Sequence, residues 1–226
     1  MISFQNVGKR YEGGNEALSD VTFEVERGEM TFLTGPSGAG KSTLLKLVAL
    51  IERPSRGQII VNGQNLAGIG RRQLPYYRRQ IGVVFQDHKL LDDRSVFDNV
   101  ALPLVIAGAD IAETAKRVRA SLDLVGLLHK EKARPMTLST GEQQRVGIAR
   151  AVVYRPSILI ADEPTGNLDP DLSQEVMQLF KRLNQVGTTV LIASHDRGLV
   201  EQFAPRVFNL KAGHMAEAGE AHGISD

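Results

Sequence analysis

Apolar residues in the first thirty positions recur at every second place. Ile2 and Phe4, then Val21, Phe23 and Val25, would share one face of paired strands, with turns at Gly13-Gly14 and Arg27-Gly28. A short β-rich run over 29–34 is followed by a glycine-rich turn and a run over 41–51 of good helix formers. A turn at 54–57 leads into a strand over 58–61, closed by Asn62-Gly63. Residues 64–80 are polar and basic, and 81–85 reads as a buried strand ending at Gln86. The period then changes. Residues 87–155 hold no convincing long strand and predict helices over 95–105, 111–124 and 139–154. From Ser157 strands and helices alternate: strands over 158–161, 188–193 and 206–210, helices over 170–184 and 197–203, then a loose tail after Gly213. Together these predict an α/β fold, a parallel-sheet core interrupted by a helical insertion and preceded by antiparallel strands. The sequence shows no internal repeat and no low-complexity tract.

Composition narrows the function more than the fold. The 226 residues are enough for one large domain. A net charge of +1 gives no global electrostatic case for nucleic acid or an anionic membrane. The absence of cysteine excludes disulfides and thiol chemistry. No run reaches the roughly 18–20 apolar residues that cross a bilayer as a helix. Residues 1–6 lack the basic and apolar regions of a signal peptide, so any membrane role is expected to come through a partner. Arg71, Arg72, Arg78 and Arg79 could meet lipid headgroups or a partner, but read first as a solvated face, because four charges alone do not make a membrane anchor.

Gly35, Pro36, Ser37, Gly38, Ala39, Gly40, Lys41, Ser42 and Thr43 form a complete G-x-x-x-x-G-K-[ST] phosphate loop. It lies between a strand and a helix, as such a loop must. The glycines let backbone N–H groups converge on phosphate oxygens, and the helix N-terminus adds partial positive charge. Lys41 is expected to reach the β- and γ-phosphates and the Ser42 hydroxyl to ligate Mg²⁺. Asp162 and Glu163 end the apolar strand over 158–161. Asp162 fits the carboxylate that holds Mg²⁺, and Glu163 the group that polarises the attacking water. Ser139 with Glu142 three residues on is a capping box for the helix that follows, at an N-terminus that also suits an anion.

The phosphate loop, Gln86, residues 138–144, the Asp162-Glu163 pair, residues 167–169 and His195 after the strand over 190–193 stand in a fixed order. In that order they resemble the ATP-binding cassette (ABC) ATPases over almost the whole chain. The resemblance implies a phosphate-loop NTPase fold with a RecA-like parallel-sheet core, an N-terminal antiparallel β-subdomain and a helical subdomain. It implies a single domain over 1–226, in which 1–86 and 156–226 form the core with its β-subdomain. Residues 87–155 would form the helical subdomain that carries the signature. It further implies ATP and Mg²⁺ as cofactors, Tyr11 stacked on adenine, Gln86 on Mg²⁺ or the attacking water, and His195 on the γ-phosphate. Ser139 and Gly141 would bind the γ-phosphate of a nucleotide held by a second protomer, so that two chains sandwich two ATPs, with Asp169 near the shared interface. Thr140 departs from the family pattern, which has glycine there, and places a β-branched residue near that phosphate.

Residues 29–35, 79–88, 98–104 and 141–153 look like the bacterial cell-division branch of the family. Its near relatives serve lipoprotein-release and macrolide-export systems. The branch implies an integral membrane subunit, FtsX, as partner, a link to the FtsZ division ring, and septal peptidoglycan hydrolysis as the output. It also implies a peripheral position on the cytoplasmic face of the plasma membrane at the septum. The alternatives are the ATPase of a release or export system and an ATP-switched division scaffold with little turnover. A cassette ATPase acting on nucleic acid fits poorly with the near-neutral charge and the lack of a coiled-coil or zinc insertion. A phosphate-loop kinase is disfavoured by the segment over 138–144 and by the lack of an evident second-substrate site in the sequence. The partner is expected to dock near Gln86, where Leu90, Leu91, Val96, Phe97 and Val100 cluster, at least half of them packing the insertion's own core.

Overall fold

A computed structural model of the chain, describing residues 1–216, contains two sheets. The antiparallel sheet is built from β1 (Ile2–Arg10), β2 (Glu16–Val25), β4 (Arg56–Val61) and β5 (Gln64–Asn65), in the order β2-β1-β4-β5. The core sheet is built from β3 (Met30–Thr34), β6 (Ile81–Val84), β7 (Ile158–Asp162), β8 (Thr189–Ala193), β9 (Val207–Lys211) and β10 (His214–Ala216). Its order is β10-β9-β3-β8-β7-β6, and all neighbours are parallel except β10, which runs antiparallel to β9.

The parallel strands are covered on both faces, which is why β7 and β8 read as continuous apolar runs. Phe32 and Leu33 on β3 point to opposite faces and enter two different cores. One core joins the antiparallel sheet to the phosphate-loop helix α1 (Lys41–Val48), through Phe4, Phe23, Leu44, Leu47 and Phe208. The other joins the sheet to α3 (Val96–Ile106), α4 (Ile111–Leu124), α5 (Thr140–Val152), α6 (Pro170–Gln185) and α7 (Arg197–Phe203).

The expected helices are present, with starts set by caps. Ser95, Ser139 and Asp169 precede α3, α5 and α6, each accepting a hydrogen bond from a first-turn amide. Residues 64–80 carry more structure than their polarity predicts: β5 and the short helix α2 (Leu74–Arg78), with Pro75 in its first turn. The tail expected to be loose after Gly213 begins instead as β10, because its backbone pairs with β9; the rest of that tail lies outside the described residues. Of the apolar set near Gln86, Val96 and Val100 are fully buried core residues, Leu90 and Phe97 pack against that core, and Leu91 remains exposed.

Candidate active site

The C-terminal ends of β3, β7 and β8 deliver the phosphate loop, Asp162-Glu163 and His195 to one edge of the core sheet. The loop between β3 and α1 is shaped by left-handed backbone at Gly35 (φ 142°), Gly38 (φ 78°) and Gly40 (φ 108°). Gly35 is required on a second ground, since a Cβ there would overlap the carbonyl oxygen of Leu210 on β9. Gly40 caps α1 with no side-chain hydrogen bond, so the first-turn amides of Lys41, Ser42 and Thr43 stay available to an anion.

Lys41 is buried, and its Nζ donates to the carbonyls of Gly35 at 2.7 Å and Pro36 at 3.2 Å. The same ammonium lies 3.7 Å from Glu163 Oε1. Glu163 leaves β7 in left-handed backbone (φ 47°), a conformation that costs a non-glycine residue free energy. That turn aims its carboxylate between the Lys41 ammonium and the His195 ring: Glu163 Oε2 sits 2.8 Å from His195 Nδ1 and also accepts the His195 amide at 3.3 Å. Lys41, Glu163 and His195 thus form a continuous string, with the Glu163 side chain largely shielded and His195 open to solvent.

Asp162 is the electrostatic counterpart of that string. Burial pushes its carboxyl above the ordinary range and the neighbouring Glu163 charge adds to this, while Ser42, Lys41 and Lys46 act in the opposite sense. Its Oδ1 is buried without a hydrogen-bond partner. A buried, unpartnered carboxylate oxygen beside a serine hydroxyl suits a hard cation. Among the described residues no group of three or more acidic or histidine side chains could hold a metal alone. One carboxylate and one hydroxyl is the kind of donor set that Mg²⁺ completes with phosphate oxygens and water.

The raised pKa has a consequence for stability. The folded chain holds the Asp162 proton more tightly than the unfolded chain, so its ionised carboxylate opposes folding once the pH exceeds the carboxylate range. Asp162→Asn is expected to raise the melting temperature at neutral pH, a gain that fades as pH falls below about 4, where the unfolded aspartate is also protonated. Thermal melts across that range check it; a variant less stable than the parent at neutral pH would contradict it.

Tyr11 follows β1, and its hydroxyl lies 3.3 Å from Thr43 Oγ1 in the first turn of α1. Lys9 Nζ stands 4.9 Å from the centre of the Tyr11 ring. Gln86 is exposed two residues after β6, and its Nε2 faces Gly166, next to the Glu163 turn. Tyr11, the phosphate loop, Asp162, Glu163, His195 and Gln86 are therefore brought together.

Ser139, Gly141 and Asp169 form a separate group. Ser139 and Glu142 make the capping box reciprocally, and Lys130 holds the outer oxygen of Glu142. Asp169 accepts the Leu172 amide at 3.0 Å. Gly141 is buried against Leu172, where a Cβ would press on the leucine side chain at 2.8 Å, so α5 and α6 begin side by side. Thr140 is the first residue of α5, exposed and outside the left-handed region, so the backbone there does not require glycine. No side-chain hydrogen bond or ion pair among the described residues links this group to Lys41 or Glu163.

Sequence reasoning missed the Lys41–Glu163–His195 string and a second set of contacts behind it. His88 and Lys89 are both left-handed (φ 56° and 49°), and Arg150 of α5 donates to both of their carbonyls. His88 Nδ1 also meets the side chain of Gln144, a buried α5 residue. The signature helix thereby grips the segment just after Gln86. The only trace of this in the sequence is an arginine and a glutamine on the inner face of a helix.

A family model described as ABC transporter matches residues 18–166. The chain is 56% identical over 215 residues to the cell division ATP-binding protein FtsE of Escherichia coli (strain K12), spanning 95% of this chain and 97% of that one. It is 47% identical over 213 residues to the FtsE of Bacillus subtilis (strain 168), spanning 94% and 93%. Among solved structures it is similar to a dimeric post-hydrolysis state of the ATP-binding cassette MJ0796 bound to ADP and Pi. That match has TM-score 0.90 and 33% identity, and covers 99% of this chain and all of the other.

Proposed function

The chain belongs to the ABC transporter family of ATPases, and we propose that it is the ATP-hydrolysing subunit of a membrane-associated bacterial cell-division complex. The observation that supports hydrolysis is the shielded Glu163 carboxylate held between Lys41 and His195 at the mouth of the phosphate loop. In this reading the loop amides and Lys41 bind the phosphates of ATP and Tyr11 packs on the adenine. Glu163 takes a proton from the attacking water, and Gln86 and His195 orient the water and the γ-phosphate. Asp162 and Ser42, with Gln86 nearby, are the residues that would hold Mg²⁺, which supplies charge neutralisation of the phosphates when bound.

The separate placement of Ser139, Gly141 and Asp169 supports completion of the site by a second copy. No side-chain hydrogen bond or ion pair among the described residues joins them to the chain's own Lys41 or Glu163, so they are assigned to the γ-phosphate of a partner's nucleotide. The dimeric state of the similar cassette is consistent with that geometry.

Docking of the membrane subunit, FtsX in the cell-division reading, is assigned to a cavity of about 700 Å³ between the core and the helical segment. Phe85, Pro103, Ile106, Leu74, Ile51 and Tyr154 give it an apolar lining suited to an amphipathic helix. Phe85 adjoins Gln86, and Arg150 lines the same cavity while gripping His88 and Lys89, so a docked helix is positioned to feel changes at the ATP site. ATP-driven dimer closure would then move that helix and carry a signal across the membrane to septal peptidoglycan hydrolysis, with the FtsZ ring as a further contact.

Affinity purification of a Glu163→Gln chain from native membranes with Mg-ATP, followed by mass spectrometry, tests the assignment. Recovery of FtsX is the expected result. Recovery of a lipoprotein-release or export permease in its place would keep the chemistry and overturn the cell-division role.

A further inference from the structure

Residues 53–86 contain six arginines and no acidic residue, lysine or histidine. Arg53 and Arg56 are occupied: the first donates to the carbonyls of Leu66 and Ile69, the second pairs with Glu16 and Asp20. Arg78 donates to the Leu50 carbonyl at 2.9 Å, and Arg71, Arg72, Arg78 and Arg79 have no carboxylate within ion-pair distance among the described residues. The fold adds to them. Arg79 and Tyr154 line both the docking cavity and a neighbouring depression that also contains Arg27, Arg155 and Tyr76. Among the described residues Arg27 and Arg155 likewise have no carboxylate within ion-pair distance, so Arg71, Arg78, Arg79, Arg27 and Arg155 line two adjoining depressions of a chain whose net charge is only +1. The rest of the molecule is accordingly net acidic.

Apolar side chains are interleaved with this charge. Tyr76 is 64% exposed and Ile106 73% exposed. Arg79 lies over the Tyr76 ring at 4.9 Å and reaches Tyr154 at 5.9 Å. A soluble polyanion would use only the charges. A lipid surface uses both: arginine forks bind phosphate oxygens, and exposed tyrosine and isoleucine suit the boundary between headgroups and acyl chains. A helix seated in the docking cavity would leave Arg27 and Arg155 outside it. We propose that this arginine-rich face binds anionic phospholipid headgroups directly, flanking the membrane subunit's docking cavity. The orientation rests on the docking reading above, but the lipid contact does not require the partner.

Vesicle flotation of the isolated chain separates the two. Phosphatidylcholine vesicles with and without phosphatidylglycerol are the probes. The expected result is flotation with anionic vesicles and not with neutral ones, suppressed by high salt. Arg27→Glu with Arg155→Glu should weaken binding by at least ~10-fold, and Tyr76→Ser should weaken it without removing its lipid selectivity. Nucleotide affinity and melting temperature should be unchanged in each variant, since none of these side chains meets the ATP site. Equal binding to both vesicle types, or anionic binding unmoved by charge reversal, would overturn the proposal. So would capture of an acidic peptide from the membrane subunit by these arginines with no vesicle binding.

Discussion

Glu163→Gln is expected to lower ATP turnover by about 10²–10⁴-fold while leaving nucleotide affinity near that of the parent chain. The substitution keeps side-chain volume at a largely shielded position, so the turn after β7 and its left-handed backbone have no steric reason to change. What it removes is charge and basicity. The amide cannot accept a proton from water, and its attraction for Lys41 at 3.7 Å and for the His195 ring at 2.8 Å falls. Binding rests on other groups, the loop amides and Lys41, which stay in place. ATP therefore enters and is not consumed. If two chains close over two nucleotides, the closed state accumulates, and light scattering should report a dimer with Mg-ATP and a monomer with ADP. Single-turnover measurement of phosphate release checks the chemistry independently of assembly. Turnover within about tenfold of the parent would remove Glu163 from the role of general base, and a monomer at saturating Mg-ATP would sink the shared-site reading.

The parts of this site that were legible in the sequence are those fixed by neighbouring residues. Glycines spaced for a left-handed loop, a lysine at the first turn of the following helix, and an apolar strand ending in Asp162-Glu163 are local patterns, and each appears where its chemistry demands. The cap at Ser139 was legible for the same reason, since it acts on an amide three residues away, whereas Ser95, read as part of its helix, proves to be the cap that precedes it. The rest depends on contacts distant in sequence. The order β10-β9-β3-β8-β7-β6 pairs strands separated by helices, and nothing in an individual apolar run says which neighbour it takes. Gly35 is read from sequence as a phosphate contact, yet the Leu210 carbonyl from the far end of the chain also excludes any side chain there. His195 is read as a γ-phosphate ligand, whereas the structure additionally joins its Nδ1 to Glu163. Val96 and Val100 are indistinguishable by type from docking residues, and only their full burial assigns them to the core. The arginines of residues 71–79 read as an ordinary solvated face until the fold sets Arg27 and Arg155 beside them.

Lys41→Ala should weaken nucleotide binding by about 10²-fold or more. Charge-assisted hydrogen bonds contribute about 1.5–3 kcal/mol each, and about 1.4 kcal/mol corresponds to tenfold in affinity. Lys41 is buried at the mouth of the loop, where its ammonium meets little competing water and its pull on a phosphate is correspondingly strong. Its stem and charge are held by the carbonyls of Gly35 and Pro36, so the group is positioned by the loop it serves. Removing it leaves Glu163 without its nearest lysine and concentrates negative charge beside Asp162, whose carboxyl burial already raises. The loss should thus exceed that of a single contact, because an incoming triphosphate then meets two carboxylates without the intervening cation. Lys41→Arg retains the charge, but its planar fork is wider than an ammonium held between two loop carbonyls, and it should recover only part of the affinity. Calorimetry with ATP across the three chains, together with a melt showing that each is folded, decides the matter. Parent-like affinity in a folded Lys41→Ala chain would mean that the loop amides alone bind the phosphates, and that the lysine acts only after ATP has bound.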